Sequence, residues 1–163
     1  MKRLAILLLA LGMNAAHADG GRMVVPENAK WKEECSSCHI AYPPKLLAAD
    51  DWQKLMRGLD KHFGANAELD AKDNRDILEF LKKHDGDGPR HSAASLRISD
   101  TPWFKREHRS VSPKEWVHAE VKSKSNCSAC HKDVARNLWS EHDIRMPGGK
   151  QRWKEEEEED DDD

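Results

Sequence analysis

The sequence predicts a mostly helical protein of two small lobes, the second built of short helices and irregular chain. Two observations favour helices: apolar residues recur at helical spacing in residues 51–64, and no alternating apolar and polar run indicates a sheet. A third observation concerns the interior. Apolar residues make up 37% of the chain and charged residues 35%, which is too few apolar side chains for a large core made of protein alone.

Residues 1–18 have the layout of an export signal. A basic start at Lys2 and Arg3 precedes an apolar run over residues 4–13, and small residues follow up to Ala18. The apolar run is too short to span a bilayer, and no later segment is long enough. We therefore expect cleavage after Ala18 and a periplasmic protein with no membrane span. A short anchor that is never cleaved is the alternative.

The last residues, 155–163, are all acidic, although the net charge of the whole chain is only −3. Such a run repels itself and is expected to be disordered. It is either a solvated end or a charge that steers the protein toward a basic partner. The remaining chain has no concentrated basic patch with interleaved aromatic residues, so nucleic acid is not an expected partner.

The four cysteines of the chain fall in two pentapeptides, "CSSCH" at residues 35–39 and "CSACH" at residues 127–131. Cys-x-x-Cys-His is the attachment signature of c-type haem. Its two thiols lie on one side of a helical turn, where they can bond to the two vinyl groups of one porphyrin. The histidine that follows is then held beneath the iron. The sequence predicts haem 1 on Cys35, Cys38 and His39, and haem 2 on Cys127, Cys130 and His131.

Other uses of the cysteines fit less well. Disulfides suit an oxidising compartment but do not require a histidine after each pair. A four-cysteine zinc site needs the two pairs closer together in the sequence, and a thioredoxin-like site needs a βαβ context. Two covalent haem c groups also explain the small share of apolar side chains, because porphyrin faces can fill the interior.

Three helices are predicted in an N-terminal haem 1 lobe, residues 19–85. The first runs from about Ala29 to Ile40 and ends before two prolines. Asp50 or Asp51 caps the second, which ends near Gly64. Asp70 caps the third, whose apolar residues are Ile77, Leu78 and Leu81.

The C-terminal haem 2 lobe, residues 86–154, is expected to be less regular. Residues 86–112 are rich in Gly, Pro, Ser and charge and indicate a long irregular connection. "SPKE" at residues 112–115 is a capping box that starts a short helix. We expect a further helix over about residues 125–138 to contain the second attachment site, and "MPGG" at residues 146–149 to end regular structure.

Each haem iron has a second axial position, whose ligand decides between a closed electron carrier and an open, ligand-binding site. For haem 1 the favoured residue is His62, because it continues the apolar helix stripe of the second helix. That stripe consists of Trp52, Leu55, Met56, Leu59 and Phe63. His84 at the end of the third helix is the rival, and an ordinary core histidine is the simplest alternative for His62.

For haem 2 the histidines leave more than one choice. His108 follows Trp103 and Phe104, an aromatic pair suited to a haem face. His118 follows Trp116 within the capped helix and is a serious alternative. Met146 could supply a thioether, although an apolar residue near a turn is the simpler interpretation.

Four stretches together resemble the periplasmic dihaem cytochromes c known as DHC. They are "ECSSCHIAYPPKLL", "DWQKLMRGLDKHFG", "TPWFKREHR" and "NCSACHKDV" with the "IRMP" that follows. The resemblance implies an N-terminal lobe like a class I cytochrome c and an irregular C-terminal lobe, with one haem in each. It also implies two histidines on each iron. His62 is then paired with haem 1 and His108 with haem 2, although crossed pairing is possible.

The same resemblance implies an electron-transfer protein and not an enzyme. Family members take electrons from membrane b-type cytochromes and pass them to soluble acceptors, including a high-spin, oxygen-binding cytochrome c. The alternative is a haem enzyme or gas-binding sensor, which needs one open axial site.

Overall fold

The computed structural model describes residues 23–139 and 144–149. Its five α-helices are α1 (Ala29–Cys35), α2 (Ala49–Arg57), α3 (Ala71–Lys83), α4 (Pro102–Glu107) and α5 (Pro113–Trp116). Strand pairing within these ranges is limited to three isolated bridges. The prediction of a mostly helical fold is therefore confirmed. The predicted signal peptide, His142 and the acidic tail lie outside the described residues.

Helix α1 is shorter than predicted and contains only the first cysteine of its attachment peptide. Asn28 caps it by accepting a hydrogen bond from the amide of Trp31 at 2.9 Å. The helix ends at Cys35 and not near Ile40, because the hydroxyls of Ser36 and Ser37 bond back to carbonyls of the last turn. The rest of the peptide is therefore free to turn away from the helix axis.

Helix α2 also differs from its prediction. It starts after Ala48 without a side-chain cap, so neither Asp50 nor Asp51 caps it. It ends at Arg57, and a 3₁₀ turn over Leu59–Lys61 follows. His62 and the residues after it lie beyond the helix, so the predicted stripe is helical only over its first part.

Helix α3 agrees with the sequence. Asp70 caps it by accepting hydrogen bonds from the amides of Lys72 and Asp73, both at 2.9 Å. Ile77 and Leu81 are fully buried where α3 packs on α2.

The connection over residues 86–112 is more regular than predicted. It contains 3₁₀ turns and the helix α4, which the composition of the segment did not indicate. A local signal was present: Thr101 accepts a hydrogen bond from the amide of Phe104 at 3.1 Å, and Pro102 stands at the first helical position. The predicted capping box of α5 is confirmed, with Ser112 and Glu115 bonded reciprocally.

No α-helix spans residues 125–138, so that prediction was wrong. Two 3₁₀ turns, Cys127–Ala129 and Val134–Arg136, take its place. The side-chain amide of Asn126 donates to the carbonyl of Val121 at 3.0 Å, and Asn137 adopts a left-handed conformation with φ of 57°. These local bonds and the turn residue compete with a continuous helix.

The buried core runs through both predicted lobes. One apolar cluster joins Trp31 and Leu47 of the N-terminal part to Val134 and Trp139 of the C-terminal part. The amide of Met23 also donates to the carbonyl of Trp139 at 3.1 Å. The lobe boundary near residue 85 stays a prediction. No helix in the described part of the chain is long and apolar enough to cross a membrane.

The buried carboxylate of Asp51 links the start of α2 to the connection between the lobes through hydrogen bonds. Asp51 is 2% exposed and accepts hydrogen bonds from the Ser92 hydroxyl at 2.6 Å and the Ala93 amide at 2.9 Å. Burial by itself would raise the pKa of Asp51, but the hydrogen bonds from Ser92, Lys54 and Ala93 outweigh it. The net pKa is below the ordinary value.

We expect Asp51→Asn to lower the free energy of unfolding by about 1–3 kcal/mol at neutral pH, because charge-assisted hydrogen bonds are lost in a buried site. The folded-state pKa is lowered, so this stabilisation is complete above the unfolded pKa of about 3.9 and is lost as the pH falls through the folded-state value. Guanidinium unfolding of the haem-loaded protein at several pH values measures it. Asp50→Asn, an exposed neighbour, is the control; equal effects of the two variants would contradict the prediction.

Candidate haem sites

The first attachment peptide and His62 line one cavity of ≈ 360 Å³. Cys35, Cys38 and His39 stand on one side of it. Its walls are mostly apolar. They include Trp31 of α1, Trp52, Leu55 and Met56 of α2, Leu81 of α3, and Leu47 and Leu59 from the chain on either side of α2. The stripe that the sequence singled out therefore does line this cavity, together with the histidine that follows it.

The rings of His39 and His62 oppose each other with centroids 6.1 Å apart and planes inclined by 31°. Metal–imidazole bonds are about 2 Å long and a ring centre lies about 1 Å behind the bonding nitrogen, so two imidazoles on opposite sides of one ion have centres about 6 Å apart. Nδ1 of His39 donates to the carbonyl of Ile40 at 2.7 Å. That bond leaves Nε2 of His39 for a metal, and the spacing fits one iron between the two rings.

His62 reaches this position from the chain that follows α2. Its amide donates to the carbonyl of Leu59, and its carbonyl accepts from the amide of Ala65 at 3.0 Å, which closes a tight turn around it. Burial, and then the neighbouring His39, lower the pKa of His62. The ring is therefore neutral at physiological pH, the form that binds a metal.

The second attachment peptide lines a separate cavity of ≈ 430 Å³ together with His108. Cys127, Cys130 and His131 all line it, and Cys127 lines the first cavity as well. The rest of its lining is largely aromatic and apolar and includes Trp103, Phe104, Trp116, Val121, Trp139 and Met146. Both predicted attachment sites thus face cavities large and apolar enough to accept the flat face of a porphyrin.

His108 and His131 oppose each other across the second cavity with ring centroids 6.2 Å apart. This separation again fits one iron between two imidazoles. Nδ1 of His108 donates to the carbonyl of Phe104 at 2.9 Å, and the two rings stack at 4.0 Å. Helix α4 therefore fixes both the position and the tautomer of His108.

The environment of the attachment peptides favours a covalent tetrapyrrole over other uses of these residues. Burial, and then His108, lower the pKa of His131 to about 4, so its ring is neutral. Burial raises the pKa of the Cys35 and Cys127 thiols to about 11. None of the four cysteines forms a disulfide, and the described residues contain no cluster of three or more side chains suited to a bare metal ion.

The rival histidines point elsewhere. His84 ends α3 and packs on Phe80 with ring centroids 5.2 Å apart, and His118 accepts a hydrogen bond from the amide of Glu120. Neither lines either of these two cavities. Met146 does line the second cavity, as an apolar wall residue that is 8% exposed. His91, to which the sequence gave no role, is buried against Trp103.

The two cavities adjoin, a relation that no local sequence pattern indicated. Phe104 and Cys127 line both of them. Tyr42 stacks on His39 with ring centroids 4.7 Å apart, and its hydroxyl donates to the carbonyl of Ser125 at 2.6 Å. A single side chain thus connects the first site to the second attachment peptide.

Comparison with known proteins agrees with this arrangement. The family model of dihaem cytochrome c, DHC, matches residues 31–139. The chain belongs to this family. A DHC structure from Rhodobacter sphaeroides is 40% identical, with a TM-score of 0.61 over 71% of this chain and 99% of that one. A dihaem cytochrome c from Shewanella baltica is 34% identical, with a TM-score of 0.65 over 76% and 96%. No curated protein matches.

Family membership confirms two of the expectations drawn from the sequence. The chain is a cytochrome c with two covalently bound haem c groups, and its mostly helical fold is that of small dihaem cytochromes. Electron transfer is the general role of the family.

The bond between Tyr42 and Ser125 should stabilise the contact between the two sites. Burial raises the pKa of Tyr42 to about 12, so its hydroxyl stays protonated and can donate. We expect Tyr42→Phe to lower the free energy of unfolding by about 1 kcal/mol, with an unchanged optical spectrum because the ring still packs on His39. Asn74→Ala removes a side-chain hydrogen bond within the first lobe. It is the control variant with which the optical spectrum of Tyr42→Phe is compared. Wild-type stability in Tyr42→Phe would contradict the prediction.

Proposed function

We propose that this dihaem cytochrome transfers electrons by an outer-sphere route, with two histidines on each iron. The single observation that supports this most is the pair of equal ring separations, 6.1 Å and 6.2 Å, across the two cavities. The proposed axial ligands are His39 and His62 for haem 1, and His108 and His131 for haem 2. The proposed thioether attachments are Cys35 and Cys38 for haem 1, and Cys127 and Cys130 for haem 2.

The bound haem iron supplies reversible one-electron chemistry. The protein's role is to keep both axial positions of the iron occupied. In each site the two imidazoles would fill both axial positions of the haem iron, which would leave no place for a substrate or gas. The carbonyls of Ile40 and Phe104 hold Nδ1 of His39 and His108, respectively, so these rings keep one tautomer and one orientation. The residues around the sites therefore change little when the charge changes.

The walls of the cavities set the range of reduction potentials. Histidine in both axial positions keeps the potentials low, since methionine ligation raises them. Met146 acts here as an apolar wall and excludes water. The two cavities differ in their polar surroundings: Glu107, Arg109 and Glu115 line only the second. We expect the two potentials to differ for that reason.

Partners and location follow from the same proposal. The layout of residues 1–18 supports export to the periplasm. The DHC resemblance supports a membrane b-type cytochrome as donor and a soluble high-spin, oxygen-binding cytochrome c as acceptor. The acidic run over residues 155–163 is a candidate for steering toward a basic partner.

Carbon monoxide tests the closed sites. We expect the reduced wild-type protein to keep its low-spin spectrum under CO. His62→Ala should open haem 1, so that about half of the total haem shifts its Soret band, and His108→Ala should do the same for haem 2. His84→Ala and His118→Ala are the matched controls and should behave as wild type.

Two results of these CO experiments would contradict the proposal. A CO-shifted band in half of the wild-type haem would show an open or weakly held axial site and would favour an enzyme or gas sensor. CO binding by His84→Ala or His118→Ala, with none by His62→Ala or His108→Ala, would assign the distal positions to the other histidines.

A further inference from the structure

An exposed aromatic residue and an unpaired arginine meet at the first cavity. Phe63 is 47% exposed, and the guanidinium carbon of Arg97 lies over its ring, 4.3 Å from the centroid. Both side chains line the cavity that contains His39 and His62. Among the described residues, no carboxylate lies within ion-pair distance of Arg97.

Backbone strain on both sides brings this pair together. Phe63 has φ of 49°, and Leu96, immediately before Arg97, has φ of 58°. Left-handed backbone is uncommon for residues other than glycine, and a bulky side chain there is unfavourable. Such strain persists where the surrounding structure requires it, and it often marks a ligand-binding position. The fold therefore places Arg97 over Phe63 at a conformational cost.

Arg97 is the cation best placed to meet an anion in the first cavity. Among the described residues, the Lys and Arg side chains that line it are Arg97 and Lys124. The ammonium of Lys124 lies over Trp116, 5.5 Å from the ring centroid, and Trp116 belongs to the second cavity. Arg97 instead stacks on a residue of the first cavity alone.

Haem c supplies the matching anion, because the porphyrin has two propionate carboxylates at one edge. We propose that Arg97, held over the ring of Phe63, binds a propionate of haem 1 and raises the reduction potential of that haem. This inference rests on the proposed function, which places haem 1 in the first cavity. The planar guanidinium can donate two parallel hydrogen bonds to one carboxylate. Stacking on the Phe63 ring orients the guanidinium before the propionate binds.

The sign of the effect follows from charge. Reduction adds one electron to the iron and removes one positive charge, while Arg97 is neither oxidised nor reduced. A propionate without a cation stabilises the oxidised, more positive iron. Arg97 cancels that negative charge and so favours the reduced state.

The test is a redox titration of the haem-loaded, full-length protein. We expect Arg97→Gln to lower one midpoint potential, with a change of about tenfold in the one-electron equilibrium constant, or about 59 mV. Arg57→Gln removes the same charge from an exposed position on α2 that lines neither cavity and should shift both potentials little. His62→Met identifies the haem 1 potential, because methionine ligation raises it.

Equal shifts in Arg97→Gln and Arg57→Gln, or a shift confined to haem 2, would overturn the proposal. If Arg97→Gln fails to acquire haem, two milder variants replace it. Arg97→Lys keeps the positive charge but loses the bidentate hydrogen bonding of the guanidinium. Phe63→Leu removes the aromatic ring on which Arg97 stacks. Each should lower the haem 1 potential by less than Arg97→Gln does. Wild-type potentials in both would also overturn it.

The optical spectra of the same samples separate this proposal from the one it rests on. Low-spin spectra that CO does not change, together with unchanged potentials, would remove the role of Arg97 and leave the histidine ligands standing. CO binding by the wild-type protein would instead contradict the closed axial sites of the proposed function.

Discussion

Two pairs of opposed imidazoles, with ring centres about 6 Å apart in each pair, are the constraint on which the rest of the structure depends. To keep each pair apart, the chain must surround a large flat space with apolar walls and still connect the two sides. Helices α2 and α3 do this for His62, and α4 does it for His108. The modest share of apolar residues suffices because two covalent haem c groups complete the interior.

The two sites share one apolar core and are not independent of each other. The apolar cluster runs from Val25 to Trp139, Phe104 and Cys127 line both cavities, and Tyr42 spans from His39 to Ser125. This arrangement keeps the two cavities next to each other, which suits an electron carrier. The polar groups then differ between the cavities, which offers a physical basis for two unequal potentials.

How much the sequence could predict depended on how local each interaction is. The haem c signature lies within each pentapeptide, so the presence of two haem c groups followed from a few adjacent residues. The family followed from four short stretches of sequence. The Asp70 and Ser112 caps were predicted for the same reason. The length of α1 was not, because Ser36 and Ser37 compete with the helix through their hydroxyls. His62 was singled out as part of a helix face, whereas the structure places it opposite His39 through a turn beyond that helix. The contact from Tyr42 to Ser125, and that from Arg97 to Phe63, join distant parts of the chain and left no local pattern.

The most direct test of the central claim is an X-ray crystal structure of the oxidised protein with the iron positions located by anomalous scattering. The account predicts one iron between His39 and His62 and a second between His108 and His131, each bound through the ring nitrogens that face the cavities. An iron with only one protein ligand, or one bound by His84, His118 or Met146 in place of the paired histidine, would contradict it.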